Sequence, residues 1–186
     1  MKKWRKINIF ALMLGLLLLV GCGMRKEAEH DVSKDFTYDK KVEMDQVVEG
    51  EEYSVRVTGY KVIRDSENMP ALMMYYEFVN SSEEEISPYD LYMDAYQTSK
   101  IADGDTELYE ADIYDGLLDE EDLTLLNNTF ELVEPESQLK CATVWKLRNN
   151  KYPLEVEVYS YEEEYLGIIQ IDMQKGLLKD LPRFKK

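Results

Sequence analysis

The feature that most constrains the fold is a two-residue alternation of apolar and polar side chains that begins at Tyr53. The alternation runs from Tyr53 to Val57 and resumes on the opposite parity at Tyr60. Because successive side chains of a β-strand point to opposite faces, this pattern predicts a strand over residues 53–64. Gly59 stands where the phase changes, which predicts a β-bulge there, since one extra residue swaps the buried face.

A second strand is predicted for residues 71–80, which are apolar on both parities and follow Pro70. A buried helix would show the same pattern, but the boundaries and the aromatic and β-branched content favour a central strand covered on both faces. Residues 115–127 contain five leucines among acids and could form a short surface helix or a loop. Further strands are predicted at residues 91–98, 107–111, 130–133, 139–147, 154–161 and 166–173.

The positions of the prolines agree with these strand predictions. Proline lacks an N–H group and has a fixed φ, so it is harmless between strands and disruptive within a sheet. The prolines that fall between predicted strands are Pro70, Pro88, Pro135 and Pro153. Many short strands with turn signals, and no alternating helix pattern, predict an all-β antiparallel sandwich of about seven or eight strands.

The first 21 residues predict an export signal. Lysines and an arginine near the N-terminus precede an apolar run at residues 7–20, as in secretory signals. A membrane-spanning helix needs about 20 apolar residues, so this run is too short for a comfortable span. Leu19-Val20-Gly21-Cys22 resembles the lipobox of bacterial lipoproteins, in which the cysteine is acylated and becomes the new N-terminus. An uncleaved signal anchor with an incidental Cys22 is the alternative.

The lipobox resemblance implies an exported protein held by lipid on Cys22 at the outer face of the cell membrane. Two acyl chains anchor a protein stably where one is marginal. The predicted segments are a lipoprotein signal peptide at 1–21, a lipidated flexible tether at 22–50, a sandwich domain at 51–174 and a basic C-terminal tail at 175–186. Within the tether, a short edge segment is possible around residues 36–48.

The charge of the chain excludes one class of partner. The chain has a formal net charge of −16, and removal of residues 1–21, with four cations and no acid, leaves −20. Such a field opposes phosphate backbones, so we expect no nucleic-acid partner. A solvated acidic surface is the simple explanation of the charge, and a cationic partner is the alternative.

Several segments together resemble a family of lipoprotein domains of unknown function from Gram-positive bacteria. The segments are Tyr60-Lys61-Val62, residues 72–84, Ala95-Tyr96-Gln97, residues 133–136 and residues 141–147. That family is similar in fold to mycobacterial immunoprotective extracellular antigens, which are immunoglobulin-like β-sandwiches. The resemblance covers roughly residues 50–174 and implies an immunoglobulin-like sandwich outside the membrane, with no known activity. The chain has Thr98-Ser99 and Pro135-Glu136 where the family often has Asn-Gly and Pro-Gly, differences that concern turns.

Catalytic and zinc chemistry lack suitable residues in the predicted domain. His30, the only histidine, lies in the predicted tether, and Cys141 is the only thiol left once Cys22 carries lipid. Imidazole-based hydrolases and His–Cys zinc sites are therefore not expected. We expect no enzyme activity and no cofactor, with a carboxylate-based enzyme as the weakest alternative. Cys141 and Trp145 lie four apart on one predicted strand, so they face the same side and are predicted to be core residues.

An acidic stretch at residues 103–122 could bind Ca²⁺ as an alternative function. Ca²⁺ binds six to eight oxygen ligands, many of them carboxylate oxygens. No EF-hand pattern fits this stretch, and a solvated acidic loop would have the same composition. The candidate ligands are Asp103, Asp105, Glu107, Asp112 and Asp115. They are followed by Asp119, Glu120, Glu121 and Asp122.

Tyrosines among acids form the other candidate binding feature. Tyrosine offers apolar area with a hydroxyl group, which suits a binding patch, but it equally suits the half-buried face of a strand. The tyrosines concerned are Tyr89, Tyr92, Tyr96, Tyr109 and Tyr114. A patch of this kind would bind a basic peptide, a secreted protein or a cell-wall glycan. We therefore expect a non-catalytic, surface-tethered sandwich that binds or supports something outside the membrane.

Overall fold

The chain folds into two antiparallel sheets, as a computed structural model shows for residues 40–98, 105–114, 116–148 and 153–173. The strands are β1 (Val42–Glu49), β2 (Tyr53–Arg64), β3 (Pro70–Asn80), β4 (Tyr92–Thr98), β5 (Asp105–Glu107), β6 (Ser137–Lys146), β7 (Leu154–Tyr159) and β8 (Tyr165–Ile171). One helix, α1 (Glu120–Asn128), and a 3-10 turn, Pro88–Asp90, are also present in the described part. Sheet 1 has the order β1-β2-β3-β6, and sheet 2 has the order β5-β4-β7-β8.

This strand order is that of an immunoglobulin-like sandwich. When β1 is set aside, β2, β3 and β6 correspond to strands A, B and E, and β5-β4-β7-β8 corresponds to C′-C-F-G. An immunoglobulin domain has strand D next to E, whereas this chain places α1 between β5 and β6. The predicted all-β, immunoglobulin-like sandwich is therefore confirmed, with a helix in the place of strand D.

The predicted bulge in β2 is confirmed. Val57 pairs with Tyr76 and Gly59 with Tyr75, so Thr58 is the extra residue. The β2 side chains in the core between the sheets accordingly change from odd positions, at 53, 55 and 57, to even positions, at 60 and 62, as the sequence pattern predicted. A Cβ atom on Gly59 would lie 2.7 Å from the carbonyl oxygen of Val42, so this glycine allows β1 and β2 to approach closely.

Two hydrophobic clusters explain why β3 is apolar on both parities. The larger cluster lies between the sheets and includes Phe78 and Leu154. The smaller one lies on the outer face of sheet 1, where Met73 and Val144 pack with Leu125 of α1. The prediction of a central strand covered on both faces is thus confirmed. Cys141 and Trp145 also lie in the larger cluster, as predicted.

Helix α1 resolves the helix-or-loop alternative for residues 115–127 in favour of a helix. Its N-cap is Asp119, whose Oδ1 accepts a hydrogen bond of 2.9 Å from the amide of Asp122, which satisfies a free N–H group of the first turn. At its other end, the side chain of Asn128 donates to the Lys140 carbonyl at 2.8 Å, and Thr129 donates to the Ala142 carbonyl at 2.9 Å. The helix end therefore covers part of the exposed edge of sheet 1.

Two strand predictions and one domain boundary need correction. The predicted strand at 130–133 is wrong, because residues 130 and 131 continue the turn after α1 and Val133 forms an isolated bridge with Ile86. The segment predicted at 107–111 forms a strand at 105–107 instead, and Glu110 bridges Trp145. Strand β1 (Val42–Glu49) lies at the end of sheet 1, which agrees with the possible edge segment around residues 36–48. The sandwich therefore begins before residue 51, inside the segment predicted to be tether.

The two sheets are joined by side chains on one side of the sandwich and by a backbone segment on the other. On the first side, the side-chain amide of Gln46 donates to the Gln170 carbonyl at 2.7 Å and accepts from the Gln170 amide at 3.0 Å. This pair joins β1 to β8, the two strands that end their sheets on that side. On the other side the sheets end at β6 and β5. There the segment 108–111 connects β4 to β6, because the Leu108 amide donates to the Ala95 carbonyl at 2.7 Å and the Ala111 amide to the Val144 carbonyl at 3.0 Å. Across the described ranges, no helix is long and apolar enough to span a bilayer.

Candidate binding groove

A groove lies between β4 and β6, beside the segment 108–111 that connects them. It consists of two adjoining cavities, one of about 390 Å³ and one of about 260 Å³. Both cavities are lined by Tyr89, Glu110, Thr129 and Thr143, so they lie side by side. We call the two cavities together the groove.

The floor of the groove is uncharged. Tyr76 and Trp145 line it from the core, and the Tyr76 hydroxyl lies 3.5 Å from the Thr129 hydroxyl. Burial raises the pKa of Tyr76 well above its usual value. Burial also raises the pKa of the neighbouring Cys141 thiol to about 12. Both groups are therefore neutral at physiological pH, and the floor presents apolar and hydroxyl surface.

Aromatic rings form the rim of the groove. The ring centroids of Tyr89 and Phe130 are 5.0 Å apart, and the two side chains are 60% and 63% exposed. Tyr92 and Tyr161 add two more exposed rings. Aromatic rings in contact at such distances stabilise each other, so the rim is a preformed apolar surface in contact with water.

The chain holds Tyr89 in place through the 3-10 turn. The Ser87 hydroxyl accepts from the Tyr89 amide at 3.2 Å, and the Asp90 carboxylate accepts from the Ser87 amide at 3.2 Å. The Ser87 hydroxyl also donates to the Thr129 carbonyl at 3.0 Å. This reciprocal capping arrangement connects the turn to the residue after α1, so both halves of the Tyr89–Phe130 pair have fixed backbones.

Carboxylates surround the groove without a matching cation. Asp90, Asp94, Glu110 and Asp112 line it, and its described lining contains no Lys, Arg or His. Asp90 and Asp112 accept hydrogen bonds from Ser87 and Ser66. Among the ion pairs of the described residues, none involves Asp94 or Glu110. The groove therefore combines exposed aromatic rings with uncompensated negative charge.

The predicted lipidation and calcium residues lie mostly outside the described part. Cys22, Asp103 and Asp115 lie there, as does the side chain of Asp105. Glu107 ends β5 opposite Tyr96, while the Asp112 carboxylate accepts from the Ser66 hydroxyl at 2.9 Å. Within the described ranges, no three His, Cys, Asp or Glu residues are grouped to hold a metal ion. Calcium binding by residues 103–122 stays a prediction.

Two acids of the same stretch have structural partners. Asp119 caps α1. Asp122 forms a buried ion pair with Lys61 and accepts a hydrogen bond from the Tyr75 hydroxyl at 2.9 Å. These contacts attach α1 to the outer face of sheet 1.

Of the predicted tyrosine patch, two members reach the groove. Tyr89 and Tyr92 line it, Tyr96 is half-buried on sheet 2, and Tyr109 and Tyr114 are exposed elsewhere. Sequence reasoning missed several groove residues, namely Tyr161, Phe130, Asp94 and Glu110. The sequence predicts all four only as strand residues, and nothing local marks them as groove residues, because the groove brings together segments distant in sequence.

Two solved structures share this architecture. One is a candidate lipoprotein from Staphylococcus aureus subsp. aureus NCTC 8325, with 12% identity and a TM-score of 0.54 over 72% of this chain and 92% of that one. The other is a protein from Enterococcus faecalis solved by NMR, with 14% identity and a TM-score of 0.52 over 76% of this chain and 99% of that one. At these identities, the likeness concerns the fold alone.

Family membership rests on a longer sequence match. No curated protein matches the chain. The model of a family described as a domain of unknown function, DUF5067, matches residues 28–160. Since this match covers more than half of the chain, the protein belongs to the DUF5067 family.

Proposed function

We propose that this protein is a lipid-anchored, extracytoplasmic binding protein whose groove takes a short cationic segment of a peptide. The lipobox at Cys22 and the fold shared with a candidate lipoprotein of Staphylococcus aureus support the anchored location. The observation that carries the binding role is the groove itself, with its exposed rings, uncharged floor and uncompensated carboxylates.

The chemistry of the groove favours a cation on an aliphatic stem. Ammonium and guanidinium groups are attracted to the faces of aromatic rings, and they form strong hydrogen bonds with carboxylates. Asp94 and Glu110 supply the carboxylates, and Tyr89, Tyr92 and Tyr161 supply the rings. A lysine side chain would place its methylene groups over the floor and its ammonium group among the acids.

The properties of the described residues support a non-catalytic role. The free thiol among them is Cys141, which is buried, and burial raises its pKa to about 12. A nucleophilic cysteine needs a lowered pKa and an accessible sulfur atom. His30 lies in the segment that the sequence assigns to the tether.

Calorimetry with a tetralysine peptide tests this function on the full chain in detergent micelles. Tetraglutamate and chitotetraose serve as anionic and glycan comparisons. The double variant Tyr89→Ser, Phe130→Ser removes the tilted pair of rim rings, and exposed rings can be replaced without opening the core. The matched control Tyr109→Ser, Tyr114→Ser removes two exposed tyrosines outside the groove.

We expect tetralysine to bind the wild type and the control alike, and the rim variant roughly tenfold more weakly, which corresponds to about 1.4 kcal/mol. Equal affinity of all three proteins for tetralysine would contradict a binding role of the groove. Binding of chitotetraose in preference to tetralysine would replace the cationic ligand with a glycan.

A further inference from the structure

The outer face of sheet 2 is a second surface with an unusual composition. Strand register places outward-facing side chains in cross-strand rows over β4, β7 and β8. The first row is Tyr92, Tyr159 and Tyr165, the second is Asp94, Glu157 and Ile168, and the third is Tyr96, Glu155 and Gln170, with Glu107 opposite Tyr96. We call these residues the tyrosine–carboxylate face. No helix packs on it in the described part of the chain, whereas α1 covers the outer face of sheet 1.

Among the described residues, no ion pair involves a carboxylate of this face, and the Arg148 guanidinium donates to the Glu107 carbonyl at 3.1 Å, at the β5 end of the face. Every ion pair among the described residues involves a residue of sheet 1, where Arg56 pairs with Asp45, Lys140 with Glu77 and Lys146 with Glu67. The residues that define the tyrosine–carboxylate face include no Lys, Arg or His. Asp94 lies directly opposite Glu157, and like charges in that position destabilise a sheet. The isolated fold therefore carries an electrostatic cost here that a cationic partner would relieve.

The rings of the face are held in position. Tyr159 and Tyr165 pack edge to face with centroids 5.5 Å apart. The Tyr159 hydroxyl donates to the Glu157 carboxylate at 2.6 Å, and this hydrogen bond raises the pKa of Tyr159 to about 12. Tyr92 and Tyr165 are 54% and 56% exposed. Tyrosine and a flat sheet surface are typical of protein interfaces, and ordered rings reduce the entropy lost on binding.

We propose that the tyrosine–carboxylate face docks an extended, arginine-rich segment of a partner protein. Guanidinium groups stack on tyrosine rings and form paired hydrogen bonds with carboxylates, and this face offers both groups side by side. Glu155 and Glu157 are alternate residues of β7, so they are spaced like alternate residues of an extended partner chain. This surface adjoins the groove and extends beyond it over β7 and β8, and Tyr92 and Asp94 belong to both.

The test measures binding of an eight-residue peptide of alternating arginine and threonine to the full chain in detergent micelles. The double variant Glu155→Gln, Glu157→Gln removes two charges from the face and none from the groove lining. The matched control Glu51→Gln, Glu52→Gln removes two charges from an exposed turn. We expect the face variant to lose affinity at least about tenfold and the control to stay within about twofold of the wild type.

Two results for the charge variants would contradict the proposed docking face. An equal loss in both variants would show attraction by net charge alone and overturn the proposal, as would no loss in the face variant. The melting temperature of the face variant should equal or exceed that of the wild type, because repulsion with Asp94 is removed. A loss confined to Tyr89→Ser, Phe130→Ser would place the peptide in the groove, which overturns this proposal and leaves the proposed function standing.

The chain's own basic segment is the alternative occupant of the face. Residues 175–186 carry Lys175, Lys179, Arg183, Lys185 and Lys186 against Asp180. Deletion of these residues should leave the affinity for the arginine–threonine peptide within about twofold of the wild type. A gain of about tenfold or more would assign the face to this segment instead of an outside partner.

Discussion

The ammonium group of Lys61 and the carboxylate of Asp122 form an ion pair beneath α1, away from water. Lys61 is 8% exposed and Asp122 is 5% exposed. The second oxygen of Asp122 accepts a hydrogen bond of 2.9 Å from the Tyr75 hydroxyl. Because Lys61 and Tyr75 belong to sheet 1 and Asp122 to the first turn of α1, this cluster fixes the helix that replaces strand D.

Removal of one partner from this pair should destabilise the fold strongly. Asp122→Ala leaves the Lys61 charge buried without a partner, so we expect the free energy of unfolding to fall by about 3–5 kcal/mol. The double variant Lys61→Met, Asp122→Leu removes both charges and should recover most of this loss. Urea denaturation of the three proteins measures both effects. A loss below about 1 kcal/mol in the single variant would mean that water or another group solvates Lys61.

The bulge glycine should not tolerate a side chain. In Gly59→Ala the new Cβ would lie 2.7 Å from the Val42 carbonyl oxygen, so β1 must shift, at a cost of about 1–3 kcal/mol. The control Ser54→Ala lies on the same strand and should change stability by less than about 0.5 kcal/mol. Thermal unfolding compares the two variants. Equal melting temperatures of the two variants would show that β1 can shift without a loss of stability.

The Cys141 thiol should be inert in the folded protein and should weaken the fold at alkaline pH. Burial raises its pKa from 9.0 to about 12. As pH rises above 9, the unfolded chain loses this proton first, so the free energy of unfolding falls across the window from 9.0 to about 12. Cys141→Ala should show a shallower decline in urea denaturation over the same range.

Alkylation provides an independent check on the thiol. Iodoacetamide at pH 8 should modify Cys141 only after unfolding, because the thiolate is the reactive species. Peptide mass spectrometry locates the label on the chain. Rapid labelling of Cys141 in the native protein would contradict both its burial and its raised pKa.

Lipid attachment should depend on Cys22. Cys22→Ser removes the acceptor sulfur, so we expect loss of lipid labelling and either release of the protein or accumulation of the unprocessed precursor. Cys141→Ser is the matched control and should keep both the label and the membrane fraction. Metabolic labelling with a fatty acid and cell fractionation measure these outcomes. Unchanged labelling and retention in Cys22→Ser would rule out lipid on this residue.

Sequence periodicity predicted the features that depend on neighbouring residues. The parity change at Gly59 and the doubly covered strand at residues 71–80 follow from which side chains alternate along one strand. The same reasoning placed Cys141 and Trp145 in the core. It failed at residues 130–133, where apolar Phe130 and Leu132 are exposed after α1. This segment does not pair with any of the strands β1 to β8, and Val133 forms only an isolated bridge with Ile86.

The sequence by itself thus determined most of the strand positions and the bulge, and it predicts the signal with Cys22, because each depends on residues close together along the chain. Tertiary structure alone decided that Asp122, a predicted acid of the calcium stretch, pairs with Lys61 from a distant strand. It also decided that Tyr89 meets Phe130 at the groove and that Tyr92, Tyr159 and Tyr165 form one row. These contacts depend on strand order and register, which packing of the whole core selects and no local pattern specifies.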